Sequence, residues 1–404
     1  MAKERVESRK LKVEKGNSTR EAKPSPARAA FPFTSFEFRF SGFQFLAAVA
    51  VVCAILVFGL SARWPATGVR LLLGYTTDQD NVGNGPIPSK WQTTPIHWQI
   101  NPITHSNVTT VGGDPADAAI GKSFNTWQSA QLNGQTVMSL SFAEDSATSL
   151  TDPSSSDCLN TVSFVPSSGV NFPTGAIAFA TVAIDSGTPP TRYSCTVNGT
   201  STDQVCNLDA CIIDADIVFN PAENFSTTTP PLVNDFDVQS VATHEIGHLL
   251  GLDHSGIAHA VMYPFGDTVA AGQQRDLAVD DTVGVAFLYP GGNFASATGM
   301  LSGQVTLSGS AIFAAHVIAI DAVSGNAVVD GLTDPQGSYN LVGVPPGNYN
   351  VLVLPLGAVY GLDDFGGWYC GYSVNSPPCC DPKTDAQCTG TPISNPIDYT
   401  GKFF

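Results

Sequence analysis

The chain contains seven histidines, and three of them fall at intervals suited to holding one metal ion. His244 and His248 are four residues apart, which on a helix places both imidazoles on one face, a turn from each other. Glu245 follows the first of them and lies close to the same face. Gly251 permits a backbone conformation that a side chain resists, so the helix can stop and the chain turn back. His254 then arrives as a third nitrogen. Three neutral imidazoles leave a tetrahedral zinc one open position for water, whose pKa zinc lowers to ~7. Glu245 is placed to take that proton, and the hydroxide can attack a carbonyl that the zinc polarises. A bare H-E-x-x-H arises by chance in helices. The extended H-E-x-x-H-x-x-G-x-x-H fixes three ligands, a base and a turn glycine together.

The extended pattern resembles that of the metzincin metallopeptidases. Ser255, directly after the third histidine, resembles the matrixin branch, the relatives of matrix metalloproteinases. Val261-Met262-Tyr263-Pro264 resembles that family's Met-turn. The resemblance implies that Met262 lies beneath the zinc ligands His244, His248 and His254. It also implies that Tyr263 and Pro264 begin the wall of the pocket for the residue after the scissile bond. The implied fold is α+β, a metzincin catalytic domain of twisted sheet and three helices. The implied activity is zinc-dependent endopeptidase cleavage of proteins or peptides, with Glu245 as general base. Vertebrate-type matrixins hold a second, structural zinc through upstream histidines. No histidine lies between 106 and 243 here, so that site is absent as such. Disulfides among Cys195, Cys206 and Cys211 are the expected substitute. Matrix metalloproteinases often carry a propeptide cysteine that caps the zinc, but residues 61–90 contain none.

Several elements must position these groups. Residues 96–100, IHWQI, alternate like a first strand. Asp114-Pro115 reads as an N-cap followed by Pro at the first helical position. That helix runs to about Gln131, with Ala118, Phe124 and Trp127 on its period. Short strands are expected near Val137–Phe142, Thr161–Val165 and Ala176–Ile184. Ala215–Phe219 resembles the matrixin strand that precedes the active-site helix and forms the upper rim of the cleft. An extended substrate could pair with such an edge. Asp235 or Asp237 can cap the histidine helix, and Arg275–Tyr289 reads as a final helix.

Composition sets the frame. The 404 residues carry 18 Lys+Arg against 35 Asp+Glu, a net charge of −17. Residues 1–39 hold ten of the basic and five of the acidic residues, so the remaining body is strongly acidic. Such a body argues against nucleic acid as a partner. It suits an extracellular protein, either one that binds calcium, with Asp185, Asp214 and Asp216 as candidates, or one with a merely solvated acidic surface. Eight of the nine cysteines lie outside an apolar run, four in the catalytic region and four near the C-terminus. An even count fits disulfides in an oxidising compartment, with pairing inside each group the simplest arrangement.

Residues 1–42 read as a disordered basic segment. Residues 43–60 are an uncharged run that nearly spans a bilayer core as a helix. They suit a cleaved signal peptide, with a weak site around Ala66-Thr67-Gly68, or an uncleaved anchor to the membrane. The protein is thus expected to be secreted or anchored. Residues 61–90 read as a linker, and 91–292 as the catalytic domain. Residues 297–356 alternate like short strands between turn signals. They resemble the carboxypeptidase regulatory-like, or prealbumin-like, β-sandwich. Residues 357–404 form a Cys-rich tail. Asn107, Asn198 and Asn224 begin glycosylation sequons. His259 is either a substrate contact or an exposed loop residue, and His316 a packed or surface residue. A second reading makes the chain a surface-anchored adhesion or matrix-binding protein with a vestigial peptidase domain. The complete set of ligands, base, glycine and Met-turn weighs against it.

Overall fold

The computed structural model describes residues 79–81, 86–155, 157–173, 175–185, 187–197, 199–266, 273–355 and 402–403. Tertiary contacts divide the chain into two units, residues 15–71 and the remainder, and all described residues belong to the second. The hydrophobic run 43–60, the basic leader and the cysteines of the tail lie outside the described residues. No helix among the described residues is long and apolar enough to cross a membrane. Part of the expected linker is ordered: Gln79–Asn81 pairs antiparallel with Pro86–Pro88.

Residues 90–288 are built on one sheet. Its strands are β1 (Lys90–Trp91), β2 (Ile96–Ile100), β3 (Phe142–Glu144), β4 (Thr161–Ser163), β5 (Ala178–Asp185) and β8 (Cys211–Phe219). The order is β1-β8-β4-β2-β3, all parallel, and β5 closes the far side of β8 as an antiparallel edge. Between β5 and β8 runs a hairpin, β6 (Thr191–Val197) and β7 (Thr200–Cys206). In β2 the alternation holds, and Ile96, Trp98 and Ile100 all face the core. In β8 nearly every residue is buried, as expected of a strand covered on both faces. That corrects the sequence expectation. The strand 215–219 is an interior strand, and the rim belongs to β5, whose residues are mostly half-buried.

Helix α1 (Ala116–Gln128) lays Ala119, Ile120, Phe124 and Trp127 on the sheet. The Phe124 ring stacks on Trp98 with centroids 4.1 Å apart. Fully burying a side chain such as Phe124 contributes roughly 1.5–3 kcal/mol. Asp114 does not cap the helix. Pro115 occupies the N-cap position without a side-chain bond, and Asp114 turns to Lys122 Nζ at 2.6 Å. The strand expected at 137–142 reduces to a single bridge from Met138 to Pro290, with β3 starting at Phe142. Helix α2 (Val238–Leu249) carries the histidine pair, and α3 (Val279–Leu288) closes the segment. α3 starts later than the sequence suggests. Residues 273–275 form a separate 3-10 turn, and Ala278 is extended.

Residues 299–354 are all β. Strand β9 (Gly299–Gln304) pairs with β12 (Ser338–Val344), and β10 (His316–Asp321) lies between β11 (Ala327–Leu332) and β13 (Tyr349–Leu354). These strands do not stand apart from residues 90–288. One apolar core runs from Val283, Val285 and Ala286 of α3 into Leu301, Val317 and Leu341. Gly343 approaches Val283 so closely that a Cβ at 343 has no room.

Two disulfides are present, Cys158–Cys195 and Cys206–Cys211. Both join members of the group of four cysteines between 158 and 211. They tie the β6–β7 hairpin to the loop before β4 and to the start of β8. A native disulfide typically contributes about 2–4 kcal/mol.

Candidate active site

Helix α2 is fixed at both ends. At its start the Asp237 carboxylate accepts Ser240 N at 2.9 Å and Ser240 Oγ at 2.7 Å. Arg275 donates to both oxygens of the same carboxylate, at 2.8 and 2.5 Å. Of the two candidate caps, Asp237 is therefore the one used. At its end Gly251 N donates to His248 O and Leu252 N to Gly247 O, a Schellman termination. Gly251 has φ +93°, and a Cβ there would collide with Ser89 O. Two orphan carbonyls of the last turn are taken by side chains: Leu249 O by Trp91 Nε1 at 2.8 Å and Leu250 O by the Tyr289 hydroxyl at 2.9 Å. On the inner face Trp127 Nε1 donates to Thr243 O at 2.8 Å.

Held this way, α2 and the turn after it bring three imidazoles together. The nearest ring nitrogens of His244, His248 and His254 all lie within 4.8 Å of one another. His244 Nε2 and His248 Nε2 are 3.2 Å apart. The other nitrogens are spoken for. His244 Nδ1 faces Val261 O at 2.7 Å and His248 Nδ1 faces Leu252 O at 2.9 Å. A carbonyl can only accept, so each Nδ1 carries the proton and each Nε2 keeps a free lone pair. Burial drives His244 down to about 3, with the neighbouring His254 adding to the shift. Burial likewise pulls His248 well below its ordinary value. Both rings are thus neutral, the form that binds a metal. This neutral pair, with the His254 ring beside it, fits zinc.

Glu245 lies in the same cleft, only 6% exposed. Burial raises its carboxyl to about 8, a hydrogen bond from the Ala180 backbone opposing the shift. Its Oε2 is buried without a hydrogen-bond partner. The cleft measures about 660 Å³. Ala178, Ala180 and Val182 of β5 line it, as do Tyr263, Pro264 and Phe265.

Met262 is buried under the helix, its sulfur against Gly247, where no Cβ would fit. The Asp281 carboxylate holds this turn by accepting Val261 N at 2.8 Å and Met262 N at 3.0 Å. It also caps α3 through Ala278 N. Spacing alone does not single out Asp281; the acidic pair at the first turn of α3 is its one local signal.

The remaining candidates do not join the site. His259 is exposed. His316 is buried against Asp330, Nε2 to Oδ2 at 2.5 Å. Asp185 turns to Thr191 and Gly187. Asp216 accepts Ser154 N and Thr161 N. Asp214 is buried with both oxygens unpartnered, and burial raises it to about 8, nearby Asp216 and Asp157 adding to the effect. Among the described residues the histidine triad is the one group of His, Cys, Asp or Glu spaced to hold a metal ion, and Asp185, Asp214 and Asp216 form none.

A helix ending in a glycine turn that delivers a third imidazole, with a methionine packed below, is the arrangement of the metzincins, a class of zinc metalloendopeptidases. Comparison with known proteins narrows the class: the family described as Matrixin matches residues 201–290, so that segment is matrixin-like. The chain is 41% identical over 81 residues to Metalloendoproteinase 2-MMP of Arabidopsis thaliana, covering 19% of this chain and 20% of that one. It is 42% identical over 79 residues to Metalloendoproteinase 1 of Glycine max, covering 20% and 25%. It is 41% identical over 71 residues to Karilysin of Tannerella forsythia, covering 18% and 13%. The chain thus spans a quarter or less of the length of these curated relatives.

Proposed function

We propose that the protein is an extracellular zinc endopeptidase that cleaves peptide bonds in proteins. His244, His248 and His254 hold the zinc. When bound, zinc supplies Lewis acidity, lowering the pKa of water to ~7 and polarising the scissile carbonyl. Glu245 accepts the proton of the attacking water and returns it to the leaving amine. Burial raises this carboxyl to about 8, and a cation bound beside it opposes that shift. The unpartnered Glu245 Oε2 beside three imidazoles whose ring nitrogens lie within 4.8 Å of one another is the observation that carries this reading. Edge strand β5 offers backbone groups to an extended substrate, and Tyr263 and Pro264 border the pocket for the residue after the cut bond. The two disulfides support an oxidising, extracellular setting. The test is cleavage of a generic unfolded protein by the purified chain, with zinc measured on the same sample, before and after a chelator. Chelator-sensitive cleavage is expected. Glu245→Ala is expected to keep its zinc and lose cleavage, and a zinc-loaded Glu245→Ala that still cuts would defeat the mechanism.

A further inference from the structure

The loop that delivers His254 is held from outside the matrixin-like segment. Gly256 N, two residues beyond that histidine, donates to Asp330 Oδ2 at 3.0 Å. The same oxygen receives His316 Nε2 at 2.5 Å. Asp330 N donates to Asp280 Oδ1 at 3.2 Å, and Asp280 Oδ2 accepts the Ser255 hydroxyl at 2.7 Å. Ser255 Oγ in turn accepts Ile257 N at 3.1 Å. Each residue from 255 to 257 is therefore bonded into a network rooted on β10 and β11. Asp330 and His316 are each 4% exposed. A Cβ at Gly256 would strike both the His316 ring and the Asp330 carboxylate. The close approach thus depends on residue 256 having no side chain. A buried ionisable pair is costly to desolvate and is weak support for stability by itself. Here it grips the backbone immediately after the third imidazole.

We propose that Asp330, backed by His316, is a positioning residue for the metal site: it sets the course of residues 255–257 and so the place of His254. This rests on the reading of the triad as zinc ligands. It makes residues 299–354 part of the peptidase rather than an appendage to it. Partners one step removed from a metal ligand typically change metal affinity by about 10–100-fold.

The test uses the whole chain and reads metal binding rather than cleavage. Zinc affinity is measured by competition with a chromophoric chelator, and the cobalt(II)-loaded proteins are compared by visible absorption. Asp330→Ala is expected to bind zinc on the order of tenfold more weakly, with shifted cobalt bands. Asp330→Asn keeps an acceptor for Gly256 N and is expected to recover most of the loss. Gly256→Ala pushes on the same contact from the other side and is expected to reproduce it. Thr333→Val removes a hydroxyl bonded to Ala315 N and Ile312 O within the β segment. It is expected to lower thermal stability and leave the metal site unchanged. Wild-type zinc affinity and cobalt spectrum in Asp330→Ala would overturn the proposal, as would an equal loss in Thr333→Val. Should Asp330→Ala not fold, Gly256→Ala decides in the same way. A chain that binds zinc but cuts nothing defeats the proposed function and leaves this test intact.

Discussion

Two histidine sites in this molecule use the same side chain to opposite ends. In the cleft, His244 and His248 give their Nδ1 protons to backbone carbonyls, and their Nε2 lone pairs stay free. In the β segment, His316 commits its Nε2 to the Asp330 carboxylate. A histidine tied to a carbonyl is a ligand in waiting, whereas one tied to a buried carboxylate is a strut. His316 is buried and the cleft histidines are half-buried, but it is the partner of the ring nitrogen that decides the role.

The sharpest way to break this contrast is to remove one histidine from each cluster. His254→Ala is expected to abolish stoichiometric zinc and all cleavage. His316→Gln is expected to keep one zinc per chain with lower affinity. Metal analysis of the two purified variants decides it, and equal zinc loss would erase the distinction between ligand and strut.

Next in size is the support of the ligand helix. Trp127→Phe takes the indole bond from Thr243 O, which keeps its place in the helix ladder, and leaves a gap at a fully buried site. The expected cost is about 1–3 kcal/mol in urea unfolding. A smaller value would mean that water or a shifted side chain replaces the indole.

A pH test extends the comparison to a buried carboxyl, Asp214, on which weak backbone contacts from Cys158 and Ala215 do not offset burial. Asp214 is raised to about 8 when folded, against an ordinary value of 3.8. Between those values the folded state holds a proton that the unfolded state has released. Stability from this group is therefore full below pH 4 and falls as pH rises toward 8. Asp214→Asn is expected to be more stable than the parent at pH 8, on the order of 1 kcal/mol or more, with the gain fading in acid. Unfolding curves at both ends of the range check it. A stability gain that does not change with pH would show that Asp214 is not held protonated.

The smallest effect is expected where solvent screens the partners. Lys122 and Asp114 lie 2.6 Å apart with side chains 52% and 36% exposed. Lys122→Ala should change stability by less than about 1 kcal/mol, measurable by the same unfolding curves.

What the sequence discloses is what short-range physics decides. The four-residue histidine spacing, the glycine at 251, the cap at 237 and the alternation of 96–100 each involve neighbours within a turn or a strand. The strand order is different. β5 and β8 are both apolar enough to be interior, and only the pairing of β8 with β1, β4 and β5 makes β5 the edge. Asp114 looks like a cap, but Lys122 draws it away. Asp281 and Asp330 act on the backbone about 20 and 74 residues away in sequence, and no periodicity records such a reach. The structure therefore adds to the legible ligand set the groups that hold it in place.

The unbroken core has a bearing on how the chain is made. Helix α3 shares one core with Leu301, Val317 and Leu341 and with the segment that carries the triad. During synthesis, which proceeds from the N-terminus, these residues leave the ribosome after all three histidines. The ligand helix can form early, yet the loop that carries His254 waits for its distant carboxylate. A ribosome-bound chain halted before residue 330 would thus display the triad without the clamp, and the clamped triad belongs to a polypeptide already made past that point.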